Sequence, residues 1–165
     1  MRNYRYVPIK TASTRITFFD YVNAIKLFPI DYFAVGLGSP SKEEFTSLIS
    51  RPEWQQHIEE KQIAGKDPLI KVLFNSSRKI IPFSEVDHID SFGKEVMRQR
   101  HRHGIKGGII LRHQTKNIEY MVMLATGFSR FDYYAFLKKH HTKLYRLKHD
   151  LTKIIERDTE RFLSA

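Results

Sequence analysis

Residues 50–68 read Ser-Arg-Pro-Glu-Trp-Gln-Gln-His-Ile-Glu-Glu-Lys-Gln-Ile-Ala-Gly-Lys-Asp-Pro, and they carry the signals of two successive helices. Ser50 and Glu53 have the spacing of a capping box, in which each side chain pairs with a backbone amide at the helix start. Gly65 is placed to end that helix. Asp67, followed by a proline, is typical of the N-cap of a second helix. The stretch therefore predicts a helix–loop–helix unit.

The first predicted helix carries Trp54, the only tryptophan of the chain. Trp54 and Ile58 are four residues apart, so they lie one above the other on the same helix face. We expect the loop to bring the Asp67 carboxylate toward the same region as the indole N–H. Because proteins hold small amphipathic ligands in apolar sites with a few placed polar groups, this unit is our first candidate for a binding site.

The composition indicates one globular domain. The chain has 165 residues, of which 41% are hydrophobic, and its 12 phenylalanines and eight tyrosines suffice to fill a core and line a cavity. It has no run of about 18 apolar residues, as a membrane span requires, and no apolar N-terminal stretch, as a secretory signal requires. Because there is no cysteine, disulfides and thiolate metal sites are excluded, and a reducing compartment fits, so we expect a cytoplasmic protein. We also expect no cofactor.

The formal net charge is +10, which favours anionic partners. The excess is concentrated in residues 94–116, where seven lysines and arginines stand against Glu95 as the single acid. We name Arg98, Arg100 and Arg102 as a surface for nucleic acid or for an acidic protein partner. A solvated surface without a partner explains the same charges. The histidines of the chain lack the motif of a metal site, so no metal is expected.

The periodicity of apolar residues predicts the order helix, strand, strand, helix, helix, strand, helix, strand, strand, helix. Residues 1–12 are interpreted as a polar lead-in, and residues 131–162 as a long closing helix. The two strands on either side of residues 114–117 are expected to form an antiparallel hairpin. The predicted fold class is therefore α+β, with a mostly antiparallel sheet covered by helices.

The same periodicity predicts which side chains face inward on two further helices. On the helix predicted for residues 13–28, Ile16 and Phe19 are placed toward the core. On the helix predicted for residues 91–103, Phe92 and Val96 are placed inward, and the following Gly104 ends the helix.

Four short motifs recur in a known family. They are Pro52-Glu53-Trp54, Asp67-Pro68-Leu69-Ile70, Pro82-Phe83 and His103-Gly104-Ile105-Lys106-Gly107-Gly108-Ile109. In order and spacing they resemble the autoinducer-binding domain of LuxR-type quorum-sensing transcriptional regulators, over residues 15–160. The resemblance implies an α/β/α sandwich around a central five-stranded antiparallel sheet. It also implies a small-molecule signal, an N-acyl homoserine lactone, bound between the sheet and the helices.

The resemblance assigns roles to individual residues. Trp54 would donate its indole N–H to the lactone carbonyl, and Asp67 would accept the amide N–H of the ligand. Gly108 takes the place of a family glycine where a side chain would crowd the neighbouring element. The remaining ligand-binding candidates are Ser50, Ile58, Phe83, Tyr32, Val72 and Met123, with Phe33, Leu48 and Leu73 as further wall residues.

The sequence departs from the family at the head group of the ligand. The family has tyrosines four residues before and four after its tryptophan, where this chain has Ser50 and Ile58. A second family tryptophan is Phe83 here, and Met123 stands in place of a hydroxyl residue. Ser50 is too short to bond the acyl carbonyl as the tyrosine does, except through a water. A different acyl or ketone signal, or no ligand, are therefore alternatives to the standard lactone.

Family members also carry a C-terminal helix-turn-helix that binds DNA in the major groove. The sequence ends at Ala165, where that domain would begin, so we expect residues 1–165 to form a single sensor domain. It is either part of a longer regulator, which reaches DNA only through the further domain, or a stand-alone sensor-like protein. The long closing helix is a candidate for a homodimer interface. No catalytic motif is present, so we do not expect an enzyme. The alternative function is a ligand-independent interaction module that uses the basic surface.

Overall fold

The computed structural model describes residues 4–87 and 90–159 of the chain. The helices in these ranges are α1 (Ala12–Ala24), α2 (Pro52–Lys61), α3 (Pro68–Asn75), α4 (Ser91–Arg102) and α5 (Tyr133–Glu156). The strands are β1 (Arg5–Tyr6), β2 (Tyr32–Ser39), β3 (Glu44–Ile49), β4 (Ile80–Pro82), β5 (Gly107–Thr115) and β6 (Ile118–Thr126). None of the described helices is long and apolar enough to cross a membrane.

All six described strands form one sheet in the order β1-β3-β2-β6-β5-β4. Every neighbouring pair is antiparallel except β1 with β3, which is parallel. The predicted α+β class and mostly antiparallel sheet are confirmed, but the expected count of five strands is wrong by one. The additional strand is β1, in which Arg5 pairs with Glu44 and Tyr6 with Phe45. The prediction of a polar lead-in for residues 1–12 is therefore wrong for its described part, since Tyr6 is buried; residues 1–3 lie outside the described ranges.

Helices cover both faces of the sheet, so the predicted three layers are confirmed. On one face, α1 and α5 pack through Phe18, Val22, Leu147 and Leu151 onto the sheet. On the other face, α2, α3 and α4 cover a second core that contains Trp54. The two cores are separate because successive side chains of a strand point to opposite faces. This second core is the region that positions the candidate site.

Side-chain caps fix the starts of the helices around that second core. The Asp67 carboxylate accepts a hydrogen bond from the backbone N–H of Leu69 at 3.0 Å, which confirms its predicted role as N-cap of α3. The predicted capping box is wrong, since α2 has Arg51 at its N-cap and no side-chain hydrogen bond there. Helix α2 also ends at Lys61, before Gly65, with the next residue in the left-handed conformation.

The inward faces of α1 and α4 differ in part from the prediction. Ile16 is 60% exposed, and Phe18 is buried instead. On α4, Phe92 is 41% exposed, whereas Val96 is buried as predicted. Gly104 ends α4 with a φ of +75°, a conformation that glycine adopts without a steric penalty.

Candidate ligand-binding site

The second core brings together most of the side chains that the sequence singles out. These are Trp54 and Ile58 from α2, Val72 from α3, Phe83 after β4, Tyr32 from β2 and Met123 from β6. Val72 is partly buried, and the other five are buried. Residues from both sides of the helix–sheet interface therefore meet in one apolar cluster, which we call the Trp54 cluster.

Trp54 brings a polar group, its indole N–H, into this otherwise apolar cluster. Its side chain is fully buried, and its ring lies 5.4 Å from that of His57 and 5.2 Å from that of His103. The indole Nε1 has no hydrogen-bond partner among the described residues. A buried tryptophan N–H usually finds a partner, and leaving such a donor unpaired costs about 1–3 kcal/mol. An unpaired donor at this position is what a bound acceptor would satisfy.

Asp67 is fully buried and is bonded within the protein on both carboxylate oxygens. Its Oδ1 accepts from Nη1 of Arg100 at 3.0 Å as well as from the Leu69 amide. Its Oδ2 accepts from Nη2 of Arg100, which makes the pair bidentate. The carboxylate that the resemblance assigns to the ligand therefore already has a cationic partner.

Arg100 is 1% exposed, so its assignment to a basic surface is wrong. It follows Val96 by four residues on α4 and shares the buried face of that helix. The guanidinium carbon lies 5.1 Å from the centre of the Trp54 ring, and Nε has no hydrogen-bond partner within the described ranges. Burial alone would lower the pKa of Arg100, but the Asp67 carboxylate raises it above its ordinary value, so the side chain stays charged.

The spacing from Val96 is a sequence signal that could have identified Arg100 as an inward residue. Its neighbours on α4 lie outside the core, since Arg98 and Arg102 are both exposed. The three arginines that the sequence groups together thus divide into two surface residues and one member of the candidate site.

Tyr32 adds a further polar group to the cluster, its phenol, from the sheet side. It is 1% exposed, and burial raises the pKa of its phenol well above the ordinary range. The Arg100 charge lowers that pKa and the Asp67 charge raises it, so Tyr32 lies within the field of both. The phenol therefore remains protonated and able to donate a hydrogen bond.

Ser50 has a structural partner in the sheet. Its Oγ accepts a hydrogen bond from the backbone N–H of Phe33 at 2.9 Å, and its own N–H donates to the Phe33 carbonyl at 2.8 Å. Phe33 and Leu48 belong to the opposite core, so their assignment to the pocket wall is wrong. The side chain of Leu73 lies outside the part of the chain that the structure describes.

Three aromatic residues that sequence reasoning did not assign to the site cover the sheet beside the cluster. The rings of Tyr4 and Phe74 stack with centroids 3.6 Å apart, and Phe45 lies 6.4 Å from Phe74. The Phe45 and Phe74 rings rest on Gly36 and Gly38 of β2, where a Cβ atom at Gly36 would come within 2.7 Å of the Phe45 ring. Glycines two residues apart in a strand indicate such a close approach on one face.

Gly108 fulfils the role that the resemblance predicts. A Cβ atom at this position would overlap the carbonyl oxygen of Leu124 on β6 and would lie 3.0 Å from the Phe83 ring. The first neighbour is backbone and cannot rotate away. The glycine therefore allows close packing of β5 with β6 next to the cluster.

A separate surface cleft of about 470 Å³ lies beside α4. Its walls combine basic and aromatic side chains. The basic ones are Lys94, Arg98, His101 and Lys106, and the aromatic ones are Phe83, Phe131 and Tyr133. The described lining includes no carboxylate, although Arg98 forms an ion pair with Glu95 at 2.5 Å.

The fold resembles those of LuxR-family proteins. CepR2 from Burkholderia cenocepacia, an N-acylhomoserine lactone dependent LuxR family transcription factor, has a TM-score of 0.58 and 12% identity over 83% of this chain and 79% of that chain. Escherichia coli SdiA has a TM-score of 0.60 and 14% identity over 91% and 69%. SdiA in complex with octanoyl-rac-glycerol has a TM-score of 0.53 and 14% identity over 74% and 58%. At these identities the likeness establishes the fold.

The family of the chain is identified from its sequence. No curated protein sequence matches the chain. The model of the autoinducer binding domain family matches residues 18–132, which is more than half of the chain and includes the Trp54 cluster from Tyr32 to Met123. The chain therefore belongs to the autoinducer-binding domain family of LuxR-type regulators, whose members are small-molecule signal sensors and not enzymes.

Proposed function

We propose that this domain binds a hydrophobic acyl signal, an N-acyl homoserine lactone or a related molecule, within the Trp54 cluster. The observation that carries the proposal is the unpaired Nε1–H of Trp54, buried among apolar side chains from several elements. A site of this kind offers one strong polar contact to a head group and apolar area to a chain. Tyr32, Ile58 and Met123 supply that area.

The fold of the chain supports the proposal. CepR2 is an N-acylhomoserine lactone dependent factor, and SdiA has been solved with octanoyl-rac-glycerol, an acyl ester. Both ligands combine a small polar head with an acyl chain. We infer the same general chemistry for this domain and place the head at Trp54.

Signal binding becomes a regulatory output only if it favours one state of a longer protein. We propose that residues 1–165 act as one sensor domain in the cytoplasm and reach DNA through a helix-turn-helix domain joined to it. A ligand shifts such an equilibrium by its difference in affinity for the two states. Helix α5 is our candidate for a homodimer interface, since Tyr134 and Tyr145 on it are 71% and 72% exposed.

Thermal unfolding with a panel of N-acyl homoserine lactones of increasing chain length tests the proposal. A ligand at about 100 times its dissociation constant stabilises the folded state by about 2.7 kcal/mol, which raises the midpoint measurably. The variant Trp54→Phe removes the donor and keeps an aromatic ring, so the affinity should fall about fivefold or more. A midpoint that no acyl lactone or acyl ester raises would contradict the proposal.

The basic cleft beside α4 favours a second candidate function, a ligand-independent interaction module for nucleic acid or an acidic protein. Lys94 and Lys106 on its walls provide the charge. A mobility-shift assay with duplex DNA at several salt concentrations tests it, because phosphate contacts weaken steeply with salt. The double variant Lys94→Ala/Lys106→Ala should abolish the shift. Lys138→Ala/Lys139→Ala on the exposed side of α5 is the matched control, and equal losses in both variants would reject the cleft as the binding surface.

A further inference from the structure

We propose that the head group recognised by this domain accepts hydrogen bonds and supplies no N–H donor, because Arg100 occupies the carboxylate that such a donor would need. The ligand class is a neutral acyl ester or ketone with a hydrophobic chain. This inference rests on the proposed signal-binding function and specifies the chemistry of the same site.

The first step concerns the acceptors of the site. Asp67 is the one fully buried carboxylate among the described residues. Its oxygens already receive the backbone N–H of Leu69 and two N–H groups of Arg100. A carboxylate has about four lone-pair positions, so little capacity is left for a ligand amide. An incoming N–H gains little here.

The second step concerns the donors. Nε1 of Trp54 and Nε of Arg100 are both buried without a hydrogen-bond partner in the described part of the chain. The two side chains are neighbours, with the guanidinium carbon over the indole ring and 5.1 Å from its centre. Two adjacent unpaired donors call for acceptor atoms, and an ester or ketone carbonyl provides two lone pairs without bringing a donor of its own.

The third step concerns the stability of this arrangement. A ligand amide could replace the N–H groups of Arg100 on Asp67 only by moving Arg100 aside, and this would leave a fully buried guanidinium without its counter-ion. Removing one partner from a buried ion pair is strongly unfavourable, because the other charge stays buried without compensation. The guanidinium therefore remains in place when a ligand binds.

The fourth step concerns charge. Arg100 and Asp67 neutralise each other as a bidentate pair, so the polar end of the cluster carries no net charge. An anionic head group such as a free carboxylate would be desolvated there without a compensating charge. A neutral carbonyl head is consequently favoured over a fatty acid.

A matched pair of ligands tests the inference on the wild-type protein. N-octanoyl homoserine lactone and α-octanoyloxy-γ-butyrolactone differ only in the replacement of the amide N–H by an ester oxygen. Isothermal titration calorimetry should show that the affinity for the ester equals or exceeds the affinity for the amide, within a margin of about fivefold. If the amide N–H bonded to a carboxylate, the ester would lose about tenfold or more, because charge-assisted hydrogen bonds contribute about 1.5–3 kcal/mol.

The possible outcomes distinguish the inference about the head group from the proposed signal-binding function. An ester that binds more than about fivefold weaker than the amide overturns the inference about the head group and leaves the signal-binding function standing. If neither lactone binds, both fail. A third ligand, octanoate, should bind more weakly than the ester, and tighter binding of octanoate would reject the neutral head group.

Variants of the protein give an independent measurement. Arg100→Met frees Asp67, so the ratio of amide to ester affinity should rise about tenfold relative to the wild type. Arg146→Met, at an exposed position of α5, is the matched control and should leave the ratio unchanged. If Arg100→Met does not fold, Trp54→Phe decides. It should weaken amide and ester by the same factor, and an effect on the amide alone would contradict the inference.

Discussion

Asp67 at the start of α3 and Arg100 near the end of α4 form a fully buried, bidentate ion pair that joins the two helices next to Trp54. Ion pairs in the interior owe their stability to mutual compensation, since each charge alone would be desolvated without a partner. The pair therefore fixes how α3 and α4 meet over the sheet, and it sets the polar character of the candidate site at the same time.

Removing one partner of this pair should destabilise the fold strongly. We expect Arg100→Met to lower the free energy of unfolding by about 3–5 kcal/mol, because it leaves the Asp67 carboxylate buried and unpaired. The double variant Asp67→Asn/Arg100→Met removes both charges and retains a capping side chain, so its loss should be smaller. Urea denaturation followed by circular dichroism measures both. Arg102→Met, exposed on the same helix, should change the free energy by no more than about 0.5 kcal/mol. An equal loss in the single and double variants would refute the ion-pair argument.

Close packing of β5 against β6 gives a prediction about the glycines there. In Gly108→Ala the new methyl group would overlap the Leu124 carbonyl oxygen, which as backbone cannot move independently. Overpacking of this kind costs about 1–3 kcal/mol, and we expect a value at the upper end in thermal or urea unfolding. Gly127→Ala is the control, because its nearest neighbour would be at 3.6 Å, an ordinary contact. Equal stability of the two variants would show that the sheet relaxes around the methyl group.

The order of the main elements and the centre of the candidate site follow from the sequence because they depend on local signals. Trp54 and Ile58 share a face by spacing, and Asp67 caps α3 through an amide two residues away. Such signals operate within one turn of chain, so they do not depend on the rest of the fold. Gly104 likewise ends α4 through its own backbone conformation.

The predictions from sequence fail where contacts between residues far apart in the chain determine the structure. Strand β2 is buried on both faces, so its sequence has no alternation of apolar and polar residues that would separate Tyr32 from Phe33. The two-residue strand β1 is too short to have a pattern. Arg100 is buried only because Asp67, 33 residues earlier, supplies a counter-ion. Composition does not show which of the three nearby arginines turns inward, and the four-residue spacing of Arg100 from Val96 is the one local signal for it.

Ser50 shows the difference between a residue of the sheet and a residue of the ligand site. Because its Oγ accepts from the Phe33 amide at 2.9 Å, Ser50→Ala should leave that amide unpaired and lower the free energy of unfolding by about 1–2 kcal/mol. The affinity for an acyl ligand should stay within about twofold of the wild type, since the hydroxyl is occupied in the sheet. Unfolding and calorimetry on the same variant measure the two quantities. A large loss of affinity at unchanged stability would return Ser50 to the ligand site.

His113 on β5 gives the domain a pH-dependent stability. Its ring stacks on Tyr120 with centroids 4.6 Å apart, and its Nδ1 has no hydrogen-bond partner among the described residues. Burial lowers the pKa of His113, the Lys148 charge lowers it further, and Glu156 opposes them in part. The folded state therefore resists protonation at a pH where the unfolded chain already takes up a proton.

The sign of the effect follows from proton binding. Because the unfolded state binds more protons below the ordinary histidine pKa, the free energy of unfolding should fall as the pH is lowered from about 7 to about 5. His113→Phe keeps an aromatic ring on Tyr120 and removes the titrating group, so the midpoint of thermal unfolding should decrease less over that range. His141→Phe, at an exposed position of α5, should retain the slope of the wild type. If the slope is the same in wild type and His113→Phe, the titration of this histidine does not contribute, and the acid sensitivity must come from another group.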